Sequence, residues 1–365
     1  MTNNQRQKGG DSSTNIQTQQ IIINTGIDEK RAREICQEIN SQLRASYTQE
    51  AMEIAKSRVE EFENKLMSKM DQVDGAMSAF ADPGFQLLLA QAQKAAAATE
   101  RAVDHELLSQ LLVERFKKGE NRSARASISL AVNIVDKITD EALLGLTAAQ
   151  ALQCFVPLIG DITRALDTLE EIFKRIIYCE LPTGEEWLHD LDALAAIRVN
   201  PMMRITPFSK FYPQKLPGFI DVGILKDSDT HKTAINILVE NRIPQNILVE
   251  NSFNQKFVRL NLSRVEFIGK IQVISLQPDG IYKSQKLSEA QKAAVKRIYE
   301  MYSKIPGEKE GNIASFINEW DKRTKLKEIR TWWDNIPFGL HVTPAGRILA
   351  HSNGQRCDPS IPSLY

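Results

Sequence analysis

The hydrophobic positions between residues 28 and 181 recur at helical spacing. After Thr48, one apolar stripe with a charged back is formed by Ala51, Ile54, Ala55, Val59, Phe62, Leu66, Met70 and Val73. Asp28 predicts the N-cap of a helix that reaches about Arg44, and Asp82-Pro83 supplies the N-cap and first residue of another. Further helices are predicted at 106–117, 124–137, 140–156 and 161–177. Residues 28–181 should therefore form a helical bundle with short connections.

The pattern changes after residue 181. Four prolines between residues 200 and 218 exclude one regular element there. Strand-like runs follow at Phe257–Leu262 and Arg264–Leu276, which predicts a connecting α+β domain over residues 182–280. Ser288 and Gln291 have the spacing of a capping box for a helix through Tyr302.

The C-terminal region, residues 281–365, adds a helical stretch at Ile313–Asp334 and an expected β-hairpin. Its two strands would be 338–343 and 347–351, joined by a Pro344-Ala345-Gly346 turn. Two helices followed by a hairpin resemble a winged helix-turn-helix. The expected fold is thus a mainly α N-terminal helical bundle followed by a smaller α+β, winged-helix-like C-terminal domain.

The start of the chain is a polar, glycine-led arm that runs into an amide- and isoleucine-rich strand. An apolar strand with an unpaired edge invites a partner, and Asn and Gln side chains can stack as ladders between identical copies. Residues 1–27 are therefore predicted to oligomerise the chain. The residues expected to do so are Asn15, Ile16, Gln17, Gln19, Gln20, Ile21, Ile22 and Ile23. A disordered tail, or a strand paired within its own chain, are the alternatives.

Composition favours a cytoplasmic protein. Lys and Arg total 46 and Asp and Glu also total 46, so no global field attracts nucleic acid or anionic lipid. The four cysteines are widely spaced without a CxxC pair, and the polar N-terminus lacks the apolar region of a signal peptide. The uncharged segment 142–160 is long enough to cross a bilayer, but its glutamines favour a helix buried in the bundle.

The chain contains no catalytic sequence motif. It has no Gly-rich phosphate loop, GxSxG elbow or HExxH pair. Glu186 and His189 have the spacing of half a di-metal site, but no second ExxH exists. These residues, and the triplet Asp104-His105-Glu106, are interpreted as solvated charge. We therefore expect no enzyme activity, cofactor or bound metal.

A basic cluster in the C-terminal region supports a different, non-enzymatic hypothesis. On a recognition helix and a wing, these cations would contact DNA phosphates or a protein partner: Lys322, Arg323, Lys325, Lys327, Arg330 and Arg347. A solvated helix face is the simpler interpretation. DNA binding is thus an alternative, and nucleic acid is not the favoured partner.

Several segments together resemble an uncharacterised bacterial protein family. They are the opening KGGDSSTNIQTQQIIINTGID, the ADPGFQ helix start at residues 81–86, the LLSQLLVER helix at residues 107–115, and the VTPAGRILAHSN run near the end. The resemblance implies an association with mobile and antiphage-defence regions of bacterial genomes. It carries no active-site residues.

These observations lead to one functional hypothesis with two alternatives. The chain is expected to be a non-enzymatic, self-assembling sensor or scaffold in antiphage defence. It would oligomerise through its N-terminal strand and recognise a protein partner, such as a phage component or a co-encoded effector, through its C-terminal domain. The alternatives are a winged-helix DNA-binding regulator and an effector that acts on membranes through residues 142–160.

Overall fold

The computed structural model describes residues 27–44, 48–119, 121–157, 161–276, 282–362 and 364. The predicted assembly strand, with Asn15, Ile16, Gln17 and residues 19–23, lies outside the described residues.

The N-terminal half is helical, as its hydrophobic spacing predicts. Its helices are α1 (Glu29–Arg44), α2 (Gln49–Asp71), α3 (Pro83–Ala98), α4 (Ala102–Lys117), α5 (Arg122–Val135), α6 (Asp140–Cys154) and α7 (Ile162–Ile176), with a 3₁₀ turn at Ala76–Ala81. The predicted caps at α1 and α3 are confirmed. Asp28 Oδ1 accepts a hydrogen bond from the backbone N–H of Arg31 at 2.8 Å, and Asp82 Oδ1 accepts from that of Phe85 at 2.6 Å.

Helix α6 occupies most of the uncharged segment and is buried on all sides. Every residue from Ala142 to Leu152 is inaccessible to solvent or nearly so. This confirms the prediction of a core helix, which explains why the segment carries no charge. Within the described part of the chain, no helix has the length and apolarity needed to cross a bilayer.

The remainder of the chain is a mixture of helices and small sheets. The helices are α8 (Glu186–Ala193), α9 (Phe208–Phe211), α10 (Pro217–Ile220), α11 (Asp229–Glu240), α12 (Glu289–Glu300), α13 (Pro306–Asp321), α14 (Thr324–Asp334) and α15 (Pro344–Cys357). The strands are β1 (Ile197–Asn200), β2 (Ile224–Leu225), β3 (Leu248–Glu250), β4 (Phe257–Leu260), β5 (Gln272–Leu276), β6 (Tyr282–Lys286) and β7 (Gly339–Val342). The described strands form three antiparallel sheets, ordered β1-β7, β2-β4-β3 and β5-β6.

The predicted capping box is confirmed, but one of the predicted strands is partly wrong. Ser288 and Gln291 form the capping box of α12 through reciprocal hydrogen bonds. The strand predicted from residue 264 is wrong over its first half, because Val265–Lys270 is a 3₁₀ helix and the strand begins at Gln272.

The predicted C-terminal hairpin is wrong. Residues 344–357 form helix α15, and β7 pairs instead with β1, in the register Ile197↔Val342 to Asn200↔Gly339. Thr343 and Pro344 are the N-cap and first residue of α15, and Thr343 Oγ1 accepts from the backbone N–H of Gly346 at 3.1 Å. The hairpin that resembled a wing therefore does not exist, and Arg347 lies on a helix.

Two hydrophobic cores organise the described residues. The larger contains side chains from Ala32 to Ile361, because α15 packs against α4, α5, α6 and α7. The smaller lies between Ile224 and Tyr302 and joins α11, α12 and the three-stranded sheet. The N-terminal bundle is thus completed by the C-terminal helix. The domain boundaries predicted at residues 181 and 280 stay predictions.

Polar contacts and one glycine fix α15 in this position. Asn353, fully buried, donates from Nδ2 to Thr147 Oγ1 on α6 at 2.9 Å, and Arg356 Nε donates to Asn353 Oδ1 at 2.9 Å. A β-carbon on Gly346 would lie 1.9 Å from the carbonyl oxygen of Ala196, so the helix start touches the chain before β1 directly. The VTPAGRILAHSN run therefore closes the fold.

Candidate functional site

A polar cleft opens where the smaller core meets the larger one. Its volume is about 540 Å³. Asp221 and Val222 line it before β2, residues 299, 300 and 302–305 line it at the end of α12 and beyond, and Lys309 and Glu310 line it from the first turn of α13. The cleft therefore combines three segments that lie far apart in the sequence.

Backbone hydrogen bonds of Asp221 fix its position in the cleft. It follows the short helix α10, and its N–H donates to the carbonyl of Pro217 at 2.8 Å. Its carbonyl accepts from Asn251 Nδ2 at 3.2 Å, and the side chain is only 19% exposed. The carboxylate thus has a fixed position in a partly desolvated place.

Both oxygens of the Asp221 carboxylate have a partner. The Tyr299 hydroxyl donates to Oδ2 at 2.5 Å, and Lys309 Nζ lies 2.7 Å from Oδ1. Burial, and next the hydrogen bond to Asp221, raise the pKa of Tyr299 above its usual range. The phenol therefore remains protonated at neutral pH and acts as a hydrogen-bond donor.

Helix α13 is positioned so that Lys309 reaches this carboxylate. Asn312 is buried one turn further along α13 and donates from Nδ2 to the carbonyl of Ile220 at 3.0 Å. Residues three apart lie on the same face of a helix, so Lys309 faces the residue that follows Ile220. The ion pair is a consequence of this docking.

The floor of the cleft is rigid. Tyr302 is buried beside Tyr299, with ring centroids 4.8 Å apart, and its hydroxyl accepts from the backbone N–H of Leu260 at 2.6 Å. Gly223 has φ of +94°, and its carbonyl accepts from the N–H of Ser303 at 2.7 Å. A β-carbon there would lie 2.2 Å from the carbonyl oxygen of Val258, so only glycine allows this approach.

A buried cation stands behind this floor. Arg259 lies over the ring of Phe219 at 4.6 Å, and its guanidinium donates to the carbonyl of Leu260 at 2.9 Å. Burial lowers the pKa of Arg259 to about 10. The region therefore already accommodates one guanidinium against an aromatic face.

Sequence reasoning did not find this cleft. Tyr299 is 78 residues from Asp221, and Lys309 is 88 residues from it. No periodic pattern or short motif brings them together. The only local signal in the sequence is the polar edge that Tyr299 adds to the amphipathic pattern of α12, with Tyr302 two residues beyond the end of the helix.

The basic residues predicted to contact nucleic acid or a partner are mostly engaged by acidic neighbours. Ion pairs join Lys322 to Glu319 (2.5 Å), Arg323 to Asp167 (2.8 Å), Lys325 to Glu328 (2.8 Å) and Arg330 to Asp321 (2.7 Å). Lys327 lies on α14 beside them, whereas Arg347 is on α15. Without the hairpin, the DNA-binding hypothesis lacks its wing and stays an untested prediction.

The interpretation of Asp104-His105-Glu106 as solvated charge is wrong for its first two members. Asp104 and His105 are buried in the bundle, where Asp104 accepts from Thr99 Oγ1 at 2.6 Å. His189, by contrast, is exposed and lies 3.7 Å from Glu185. Across the described ranges, no group of three or more His, Cys, Asp or Glu side chains is arranged to hold a metal ion.

Together the fold and the cleft define a mainly helical protein with a smaller α+β core and a polar cleft between the two cores. Residues 26–357 match the model of a protein family that is described only as ":-like". The chain belongs to this family, which is uncharacterised. No curated protein and no solved structure matches it.

Proposed function

We propose that this chain is a non-enzymatic, self-assembling recognition protein of a bacterial antiphage defence system. Copies associate in the cytoplasm through the arm formed by residues 12–27. The folded body then recognises a protein partner through its C-terminal part. An assembly of several bodies strengthens weak recognition, because each further contact is made at high effective concentration.

The extent of the family match is the observation that carries this proposal. The match begins at residue 26, so it contains the folded body and leaves out nearly all of the arm. The isoleucine- and amide-rich segment outside the matched body is predicted from its sequence to be a strand; such a strand needs a pairing partner for its backbone, and a second copy would provide one. This separation supports the proposal that the arm is an assembly segment distinct from the folded body.

The polar cleft supports the recognition part of the proposal. Asp221, Tyr299 and Lys309 present a carboxylate, a protonated phenol and a cation on a rigid floor. Rigid, convergent polar groups at the junction of two cores are typical of binding sites. The resemblance to defence-associated proteins supplies the biological setting.

Removing residues 1–26 is expected to lower the solution mass from that of a discrete oligomer to that of a monomer or dimer, as measured by light scattering. Ile22→Asp in the full chain should have the same effect, because a charge cannot be buried in a stacked strand. Gln7→Asp adds the same charge outside the strand and is the matched control. Equal masses for all four proteins would refute assembly through the arm.

Cells that express the full chain with its neighbouring genes are expected to reduce phage plating, and Ile22→Asp should abolish that protection. The physical reason is the loss of avidity when the bodies separate. Gln7→Asp should protect like the wild type. Undiminished protection by Ile22→Asp would show that defence does not require assembly through the arm.

A further inference from the structure

We infer that the cleft binds a cationic side chain of a partner protein, preferably arginine, at the Asp221 carboxylate, and that Lys309 occupies this position in the free chain. The inference deepens the proposed function and rests on it for the identity of the ligand as a protein. It concerns the chemistry of one subsite.

The two partners of Asp221 differ in how easily they can leave. Tyr299 lies in the last turn of α12 and packs against Tyr302. Lys309 extends across solvent from the first turn of α13, and its side chain is 52% exposed. An ion pair this exposed contributes at most about 1 kcal/mol, so another cation can replace Lys309 without disturbing the fold.

The charges around the cleft favour a cation once Lys309 has moved away. Three carboxylates line it, those of Asp221, Glu300 and Glu310. The remaining cation in the lining is Lys304, so the vacated subsite carries an excess of negative charge. Complementary charge selects the partner and speeds its approach.

The apolar surfaces of the cleft fit the rest of such a side chain. Ile305 lies on the rim and is 58% exposed, so it presents apolar surface to the cleft. The aliphatic part of an arginine side chain can cover it while the guanidinium reaches Asp221. The ring of Tyr299 adds a face against which the cation can pack.

Arginine fits this subsite better than lysine. Its guanidinium is planar, stacks on aromatic rings and is more weakly hydrated than an ammonium group. It can therefore compete with Lys309 for the same carboxylate oxygen. The packing of Arg259 on Phe219 behind the floor is the same kind of contact within this chain.

Fluorescence anisotropy with the full-length chain and a labelled Gly-Arg-Gly-Arg-Gly peptide tests the inference at low salt. The same peptide with citrulline in place of arginine keeps the shape and removes the charge. We expect the arginine peptide to bind and the citrulline peptide to bind at least about tenfold more weakly, because its neutral group cannot pair with the carboxylate.

Two substitutions in the cleft give opposite expected results. Lys309→Met removes the internal competitor and should tighten binding about threefold to fivefold, the value of an exposed ion pair. Asp221→Asn should weaken binding at least about tenfold. Lys296→Met removes an exposed cation of α12 that lies outside the lining of the cleft, and it should change the affinity less than twofold.

Several outcomes would overturn the inference. They are the absence of arginine-peptide binding, binding of the citrulline peptide as tight as that of the arginine peptide, and weaker peptide binding by Lys309→Met than by the wild type. Misfolding is not expected from Lys309→Met, because the side chain is half-exposed. Binding of inorganic phosphate that Lys309→Met abolishes would show an anion site instead. If arginine binding follows the expected order but the solution mass does not depend on the arm, the binding inference is supported and assembly through the arm is refuted. If the mass depends on the arm but the peptide does not bind, only the binding inference is refuted.

Discussion

Gly346→Ala is expected to destabilise the whole chain strongly. A methyl group at this position would lie 1.9 Å from the carbonyl oxygen of Ala196 and 2.8 Å from its carbonyl carbon. Both are backbone atoms, so no side-chain rotation relieves the collision, and α15 must move away from β1. Because α15 completes the larger core, we expect a loss of about 3 kcal/mol or more in the free energy of unfolding.

Urea denaturation of purified protein measures this loss, and failure to obtain soluble protein is its extreme form. Gly311→Ala is the matched control, since Gly311 is within α13 and a β-carbon there would meet no atom within 4 Å. That substitution should stabilise the chain by about 0.5–1 kcal/mol, because alanine restricts the unfolded chain more than glycine does. Equal stability of the two variants would contradict the proposed close contact.

Arg101→Ala is expected to destabilise the chain by about 3 kcal/mol at pH 7, because it leaves a buried carboxylate without its cation. Arg101 Nη2 lies 2.9 Å from Oδ1 of Asp104, whose side chain is fully buried. The guanidinium also donates to the carbonyl of Ile138 at 2.8 Å and pairs with Asp140 at 2.8 Å. One side chain thus connects the start of α4 with the turn between α5 and α6.

The loss should be smaller in acid. Burial is the largest influence on Asp104 and raises its pKa, so the folded state takes up a proton at a higher pH than the unfolded state does. Its contribution to stability therefore falls as the pH rises from the unfolded pKa through the folded one. Without Arg101 this pKa should rise further, and urea denaturation near pH 4.5 should show a smaller difference from the wild type than at pH 7.

Asp140→Asn is the control for this prediction. It removes the exposed partner of Arg101 and keeps the buried one, so a change below about 1 kcal/mol is expected. A similar loss for Asp140→Asn and Arg101→Ala would indicate that the buried carboxylate does not decide the effect.

Features that depend on neighbouring residues could be predicted from the sequence. The caps at Asp28, Asp82 and Ser288 involve hydrogen bonds between residues three apart, so the residue types alone identify them. The helical spacing of the apolar residues between residues 28 and 181 likewise predicts a bundle. In the N-terminal half of the chain, the helices predicted from caps and apolar spacing are therefore the helices that the structure contains.

The error at Thr343-Pro344 shows where local patterns become ambiguous. The same order of residues, a capping side chain, proline and then glycine, begins α3 at Asp82-Pro83. In the C-terminal run, the proline and Gly346 also fit the pattern of a turn, although Thr343 caps a helix there. The amphipathic signal of α15 is weak because the helix is buried on several sides. This burial depends on contacts with α6, which lies about 200 residues earlier in the sequence.

The candidate site could not be predicted for a related reason. Its ion pair and its short hydrogen bond connect residues separated by most of the smaller core. A charged triplet such as Asp104-His105-Glu106 is usually exposed, and only the tertiary structure reveals that Arg101 and Thr99 accompany a buried Asp104.

The position of α15 also determines when the protein can fold during its synthesis. Translation delivers the helices of the N-terminal half well before α15, the helix that closes the bundle. Until residues 344–357 have left the ribosome, the apolar faces of α4 and α6 have no cover from α15 and are open to chaperones or proteases. Chains that terminate before residue 344 would therefore keep these faces exposed and be degraded, so only chains that include α15 reach the folded state.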